Sequence, residues 1–73
     1  MPRFFINQEH LALDETGKKI ITFTEENAYH IARVLRMKPG ETITAADQQS
    51  RVYSVVLTRV GTEAVCGEVP EYS

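Results

Sequence analysis

The chain has 73 residues, with eight basic side chains against ten acidic ones and a formal net charge of −2 at pH 7. That is one small domain, of a size that buries about 60% of its unfolded surface, and its charge argues against a protein that coats nucleic acid by bulk attraction. Cys66 is the only cysteine, so no intrachain disulfide forms, and with His10 and His30 far apart in sequence no metal site is expected. A reducing, cytoplasmic setting is the expectation. No apolar run approaches the roughly 20 residues that span a bilayer, and no secretory signal opens the chain, so no membrane partner is expected. The charges are unevenly spread: Glu9, Asp14, Glu15, Glu63, Glu68 and Glu71 lie towards the two ends, while Arg33, Arg36 and Lys38 crowd the middle. A local basic patch is compatible with an acidic protein.

In chain order, Arg3-Phe4-Phe5-Ile6 reads as a short strand, because aromatic and β-branched residues suit a half-buried pleat. Asn7 to Lys19 is polar and irregular, with Thr16-Gly17 as its tight turn. Lys19 to Thr24 is apolar and β-branched, a second strand. Thr24 stands where a helix N-cap belongs, followed by Glu25 and Glu26 at the positive end of the helix dipole; Thr22 with Glu25 offers an alternative start two residues earlier. Ala28, Ile31, Ala32 and Leu35 recur at i, i+3, i+4 and i+7, the apolar stripe of an amphipathic helix centred on Leu35. The helix is expected to end near Met37, since Pro39 disfavours a helical Lys38, and Lys38-Pro39-Gly40-Glu41 suits a type II turn. Three strands follow, at Glu41–Ala46, Arg51–Val60 and Ala64–Val69, the last closed by Pro70. In the long one, alternation places Tyr53, Val55 and Leu57 on one face and Val52, Val56 and Val60 on the other, so both faces should be covered. The order β-β-α-β-β-β predicts a mainly β fold with one helix, a small, partly closed barrel plugged by that helix. Residues 1–69 would form the barrel and 70–73 the start of a linker.

On a helix turning about 100° per residue, Tyr29, Arg33 and Arg36 share a narrow arc opposite the apolar stripe, bordered by Glu26 and His30. Arginine bonds phosphates bidentately and bases stack on Tyr or Arg planes, so this arc, extended by Lys38, is a candidate RNA surface. The plain alternative is a solvated face whose cations complement the negative end of the helix dipole. For His30 the simpler expectation is pairing with Glu26 at i−4. Cys66 has no neighbouring cation to activate it and reads as a small buried hydrophobe. The four glycines are isolated, so no phosphate-cradling loop is present, and Asp14-Glu15 and Glu25-Glu26 are adjacent and point apart. No residue is expected to be catalytic.

These residues resemble the N-terminal domain of the small-subunit ribosomal RNA methyltransferases that modify uridine N3 of 16S rRNA. Arg3-Phe4-Phe5 matches the family's opening, and His30-Ile31, Val34-Leu35-Arg36-Met37-Lys38 and Gly40 match its helix and turn. Ala64-Val65-Cys66 falls where its last barrel strand runs. The resemblance implies a PUA-like barrel that binds RNA, with Arg3, His30 and Arg36 matching the family pattern; Arg33 stands where that pattern is more open, and Tyr29, Arg33 and Lys38 are RNA contacts expected from the chemistry of the arc. It implies rRNA processing and ribosome biogenesis, with 16S rRNA or the small ribosomal subunit as partner. It also implies that methyl transfer belongs to a separate C-terminal knotted domain, which binds S-adenosylmethionine and forms a homodimer. On that reading this chain is a fragment that holds no cofactor and catalyses nothing alone. Two departures stand out: Tyr29 replaces a histidine or asparagine, and Asp47-Gln48-Gln49-Ser50 replaces a glycine-rich turn, so that loop is expected to be longer or stiffer. The rival expectation is a structural or protein-interaction barrel that packs on a partner domain without touching RNA.

Overall fold

In the computed structural model of this protein, which describes residues 3–70, a six-stranded sheet curls into a half-barrel with strands in the order β1-β4-β5-β6-β3-β2. The strands are β1 (Arg3–Phe5), β2 (Leu11–Leu13), β3 (Lys19–Thr24), β4 (Thr42–Ala46), β5 (Val52–Val60) and β6 (Ala64–Val69). Neighbours are antiparallel except β1, which runs parallel to β4. The helical segment between β3 and β4 packs on β3 and β6. Of the segment expected to start a linker, 70–73, residues Glu71-Tyr72-Ser73 lie outside the described residues.

The inner face follows from strand alternation. Ile21 and Phe23, Ile43 and Ala45, Tyr53, Val55 and Leu57, and Val65 and Val69 all point into the core, joined by Phe4, Ile6, Ala28 and Ile31. Phe4 and Phe23 meet edge to face at 5.7 Å, a geometry the ring quadrupole favours. Gly67 stands in the inner row between Leu57 and Ile21. A Cβ there would overlap the Val55 side chain and lie 3.1 Å from the Val56 carbonyl oxygen, so the close approach of β5 to β6 requires glycine.

Three expectations need correction. Leu11–Leu13, read as irregular, is strand β2, because it pairs antiparallel with Lys19–Ile21; its three residues carry no strand signal until β3 supplies a partner. The element order is therefore β-β-β-α-β-β-β. Val60 does not share a face with Val52 and Val56. A bulge between Leu57 and Arg59 adds a residue to β5, so Val60 pairs with Val65 and packs against the core. Cys66 is only half-buried: it lies on the outer face, its Sγ 3.8 Å from the Thr22 hydroxyl. The helix packs on the inner face and leaves the start of β5's outer face open, so of the two covers expected, a helix or a partner, the helix is not the one. Val52 is 53% exposed and Phe5 73% exposed, and they flank Ala46 in one cross-strand row.

Candidate nucleic-acid interface

The chain leaves β3 at Thr24, which has extended backbone angles and occupies the N-cap position, though its hydroxyl makes no capping bond. Glu25 makes the turn instead, at φ 54°. A short α-helix, α1 (Glu25–Tyr29), runs directly into a π-helical turn at His30–Val34. The Leu35 N–H donates to the His30 carbonyl at 2.9 Å, a bond five residues back, and the Met37 N–H donates to Ile31 at 3.0 Å. Such wide turns insert an extra residue and recur at functional sites. Arg36 then adopts φ 52°, the left-handed conformation that closes many helices. The helical residues thus stop at Val34, short of the expected Met37, and Pro39 is not what stops them. Lys38-Pro39-Gly40-Glu41 forms the type II turn as expected: Gly40 has φ 97°, and the Glu41 N–H donates to the Lys38 carbonyl at 3.1 Å.

This geometry redraws the predicted arc. Tyr29, His30 and Arg33 remain exposed on one continuous helical segment, with Tyr29 55% exposed. Arg36 and Lys38 are also exposed, but they follow the helix rather than lie on it. The anchor of the segment is Ile31, at 0% exposure, rather than Leu35, which is half-buried against the core. His30 does not pair with Glu26 among the described residues; its ring meets the edge of Phe4, with centroids 6.0 Å apart. Arg3, the remaining predicted contact, is exposed on edge strand β1 beside Phe4. Among the described residues the one ion pair is Lys18–Glu68, so Arg3, Arg33, Arg36 and Lys38 make none.

A second cationic region lies at the opposite end of the barrel, and the sequence reading assigned it no role. The β2–β3 and β4–β5 hairpins are built alike. In the first, Asp14 Oδ1 accepts from the Thr16 N–H, the Thr16 hydroxyl and the Lys18 N–H at 2.7–2.9 Å, and Gly17 has φ 84°. In the second, Asp47 Oδ1 accepts from the Gln49 and Arg51 N–H groups at 2.9 Å, and Ser50 takes the left-handed position with φ 64°. The Asp47 loop is therefore stiff without being long. Both carboxyls are held below the usual carboxylate range. For Asp14 the Thr16 hydroxyl contributes most, followed by the Lys18 N–H. For Asp47 burial pushes upward, but the Arg51 and Gln49 N–H groups and the Tyr53 hydroxyl outweigh it. Lys18, Lys19 and Arg51, together with Tyr53, line a cleft of about 720 Å³ between these hairpins. The Lys19 ammonium sits over the Tyr53 ring, 5.2 Å from its centroid, and the Tyr53 hydroxyl donates to Asp47 Oδ2 at 3.1 Å. The signal in the sequence was the repeated spacing of an aspartate four residues before a cation, at Asp14–Lys18 and Asp47–Arg51.

The family model for the RNA methyltransferase PUA domain matches residues 23–69, well over half of the chain. The chain belongs to this family. Solved structures agree with that assignment. A crystal structure of a hypothetical protein is 27% identical to this PUA domain, with a TM-score of 0.78, and the match covers 99% of this chain and 30% of that one. The ribosomal RNA small subunit methyltransferase E from Neisseria gonorrhoeae, bound to S-adenosyl methionine, is 25% identical with a TM-score of 0.70, over 94% of this chain and 26% of its own. A predicted RNA methyltransferase from Thermotoga maritima is 23% identical with a TM-score of 0.69, over 94% and 28%, and shares the fold. This PUA domain thus spans between 26% and 30% of these solved relatives. No curated protein matches it in sequence. Among the described residues no helix is long and apolar enough to cross a membrane.

Proposed function

We propose that this PUA domain is the RNA-gripping arm of a 16S rRNA uridine-N3 methyltransferase. In that role it holds RNA of the small ribosomal subunit, in the cytoplasm, for an S-adenosylmethionine-dependent domain elsewhere in the full protein, which dimerises through that domain. The observation that carries the proposal is the set of exposed side chains at Tyr29, His30, Arg33, Arg36 and Lys38. It offers an aromatic ring, His30, two arginines and a lysine on a rigidly terminated segment, and its cations have no acidic partners among the described residues. Unpaired guanidinium groups bind phosphate oxygens through paired N–H donors, and an exposed ring accepts a stacked base. Membership of an RNA methyltransferase family supports the same reading.

The test is salt-dependent binding of a single-stranded 16S rRNA segment by the 73-residue chain. Arg33→Gln/Arg36→Gln should weaken binding and make the log–log salt dependence shallower by about 0.7 for each phosphate no longer neutralised. Thr42→Glu/Ser54→Glu makes the same change in net charge at exposed positions of β4 and β5 and should bind nearly as the parent does. Equal weakening in the two variants would refute a specific helix site. An absence of RNA binding altogether would favour a protein-docking barrel, for which the exposed Phe5 and Val52, on either side of buried Ala46, are the surface.

A further inference from the structure

We propose that the cleft between the two aspartate-stapled hairpins is a second RNA contact, binding the phosphodiester of a single-stranded nucleotide at the end of the barrel opposite the helix. The inference rests on the RNA-binding reading above and adds to it a site on other elements. A protein with a net charge of −2 places three of its eight basic side chains, Lys18, Lys19 and Arg51, around one cleft whose lining contains no carboxylate among the described residues. Lys18 is paired with Glu68 at 3.5 Å, but both side chains are about 40% exposed, and such a surface pair is worth little against a phosphate. Arg51 has no ion pair among the described residues. The neighbouring carboxylate, Asp47, is already committed to two backbone N–H groups and the Tyr53 hydroxyl.

The volume and the rigidity also fit. At about 720 Å³ the cleft falls within the range of small-ligand sites, roughly 300–1,000 Å³. A second hollow of about 290 Å³ continues it past Asn7 and Leu11, and the two share Lys19, Arg51 and Tyr53. A ligand whose phosphate sits among the cations therefore has room beside it for a sugar and base. The hairpins that carry the cations are stapled by their aspartates and the Lys19 ammonium lies over the Tyr53 ring, so the backbone of the site is ordered before binding. Lys19 and Thr24 mark the two ends of β3. The five steps between them, at about 3.3 Å each, separate the cleft from the helix by roughly 17 Å. An RNA strand that touches both sites must run along the side of the barrel, which fixes its path.

The test combines amide mapping with variants of the 73-residue chain. Addition of a mixed-sequence, single-stranded oligoribonucleotide should shift backbone amide resonances of residues 16–19 and 49–53 as well as those of 29–38. Lys19→Gln/Arg51→Gln should weaken binding several-fold at low salt and make the salt dependence shallower by about 1.4, the share of two phosphates. Thr42→Glu/Ser54→Glu again serves as the charge control. Shifts confined to 29–38, with parent-like binding by Lys19→Gln/Arg51→Gln, would overturn the cleft while leaving the helix reading intact. Shifts confined to 16–19 and 49–53 would support the cleft and remove the helix site. Inorganic phosphate and uridine monophosphate are titrated in parallel. Cleft amides that respond to these alone, with RNA affinity unchanged in the variant, would mark a free-anion site and overturn the proposal.

Discussion

In Ile31→Ala the helical segment loses the side chain that anchors it to the sheet. Ile31 is 0% exposed and belongs to the same core as Phe4 and Phe23. Truncating a wholly buried isoleucine to alanine costs about 2–5 kcal/mol, through forfeited transfer energy and the cavity left behind. A chain of 73 residues has a total stability of about 4–11 kcal/mol, at about 0.05–0.15 kcal/mol per residue. Each kcal/mol lowers the melting midpoint by about 4–8 °C in a domain of this size, so a loss of about 3 kcal/mol lowers it by about 12–24 °C. Leu35, at the centre of the stripe read from sequence, is only half-buried. Leu35→Ala should cost about 1–2 kcal/mol, part of the value of a fully buried leucine. Thermal melts followed by circular dichroism measure both variants against the parent. The reasoning fails if Ile31→Ala melts within about 4 °C of the parent, or if Leu35→Ala is the more damaging of the two.

Two further expectations follow from local geometry. Arg36 holds φ 52°, a conformation that costs an L-residue about 1–2 kcal/mol and glycine almost nothing, while glycine loosens the unfolded chain. Arg36→Gly should therefore raise stability by about 0.5–1 kcal/mol in denaturant titration while weakening RNA binding; a fall in stability would mean that the Arg36 side chain braces the helix end. Asp14 and Asp47 titrate lower in the folded chain than in the unfolded one. The stability they contribute is thus complete above the unfolded value of about 4 and is lost as pH falls through the lower folded values. The melting midpoint should decline below about pH 4, and Asp14→Asn/Asp47→Asn, which keeps an accepting oxygen at each turn, should flatten that decline; an unchanged acid limb would place the sensitivity elsewhere.

What the sequence determined by itself was whatever depends on neighbours in the chain. Strand β3 at Lys19–Thr24 and strand β6 at Ala64–Val69 have the expected bounds because β3 is rich in β-branched residues and Pro70 lies just past β6. The turn at Lys38–Glu41 was legible because proline fixes φ and glycine alone readily takes the positive value that follows. Tertiary structure decided the rest. Three residues at Leu11–Leu13 become a strand only when β3 offers its free edge. The bulge that turns Val60 inward arises from the pairing of β5 with β6, which no periodicity within β5 contains. The helix changes hydrogen-bond spacing at His30, so its apolar centre moves from Leu35 to Ile31 and Arg36 falls off the arc drawn at a uniform 100°. Lys18 and Lys19 lie more than thirty residues from Arg51 along the chain. They meet around Tyr53 because strand register, set by burial of one face of each strand, brings the two hairpins to the same end of the barrel.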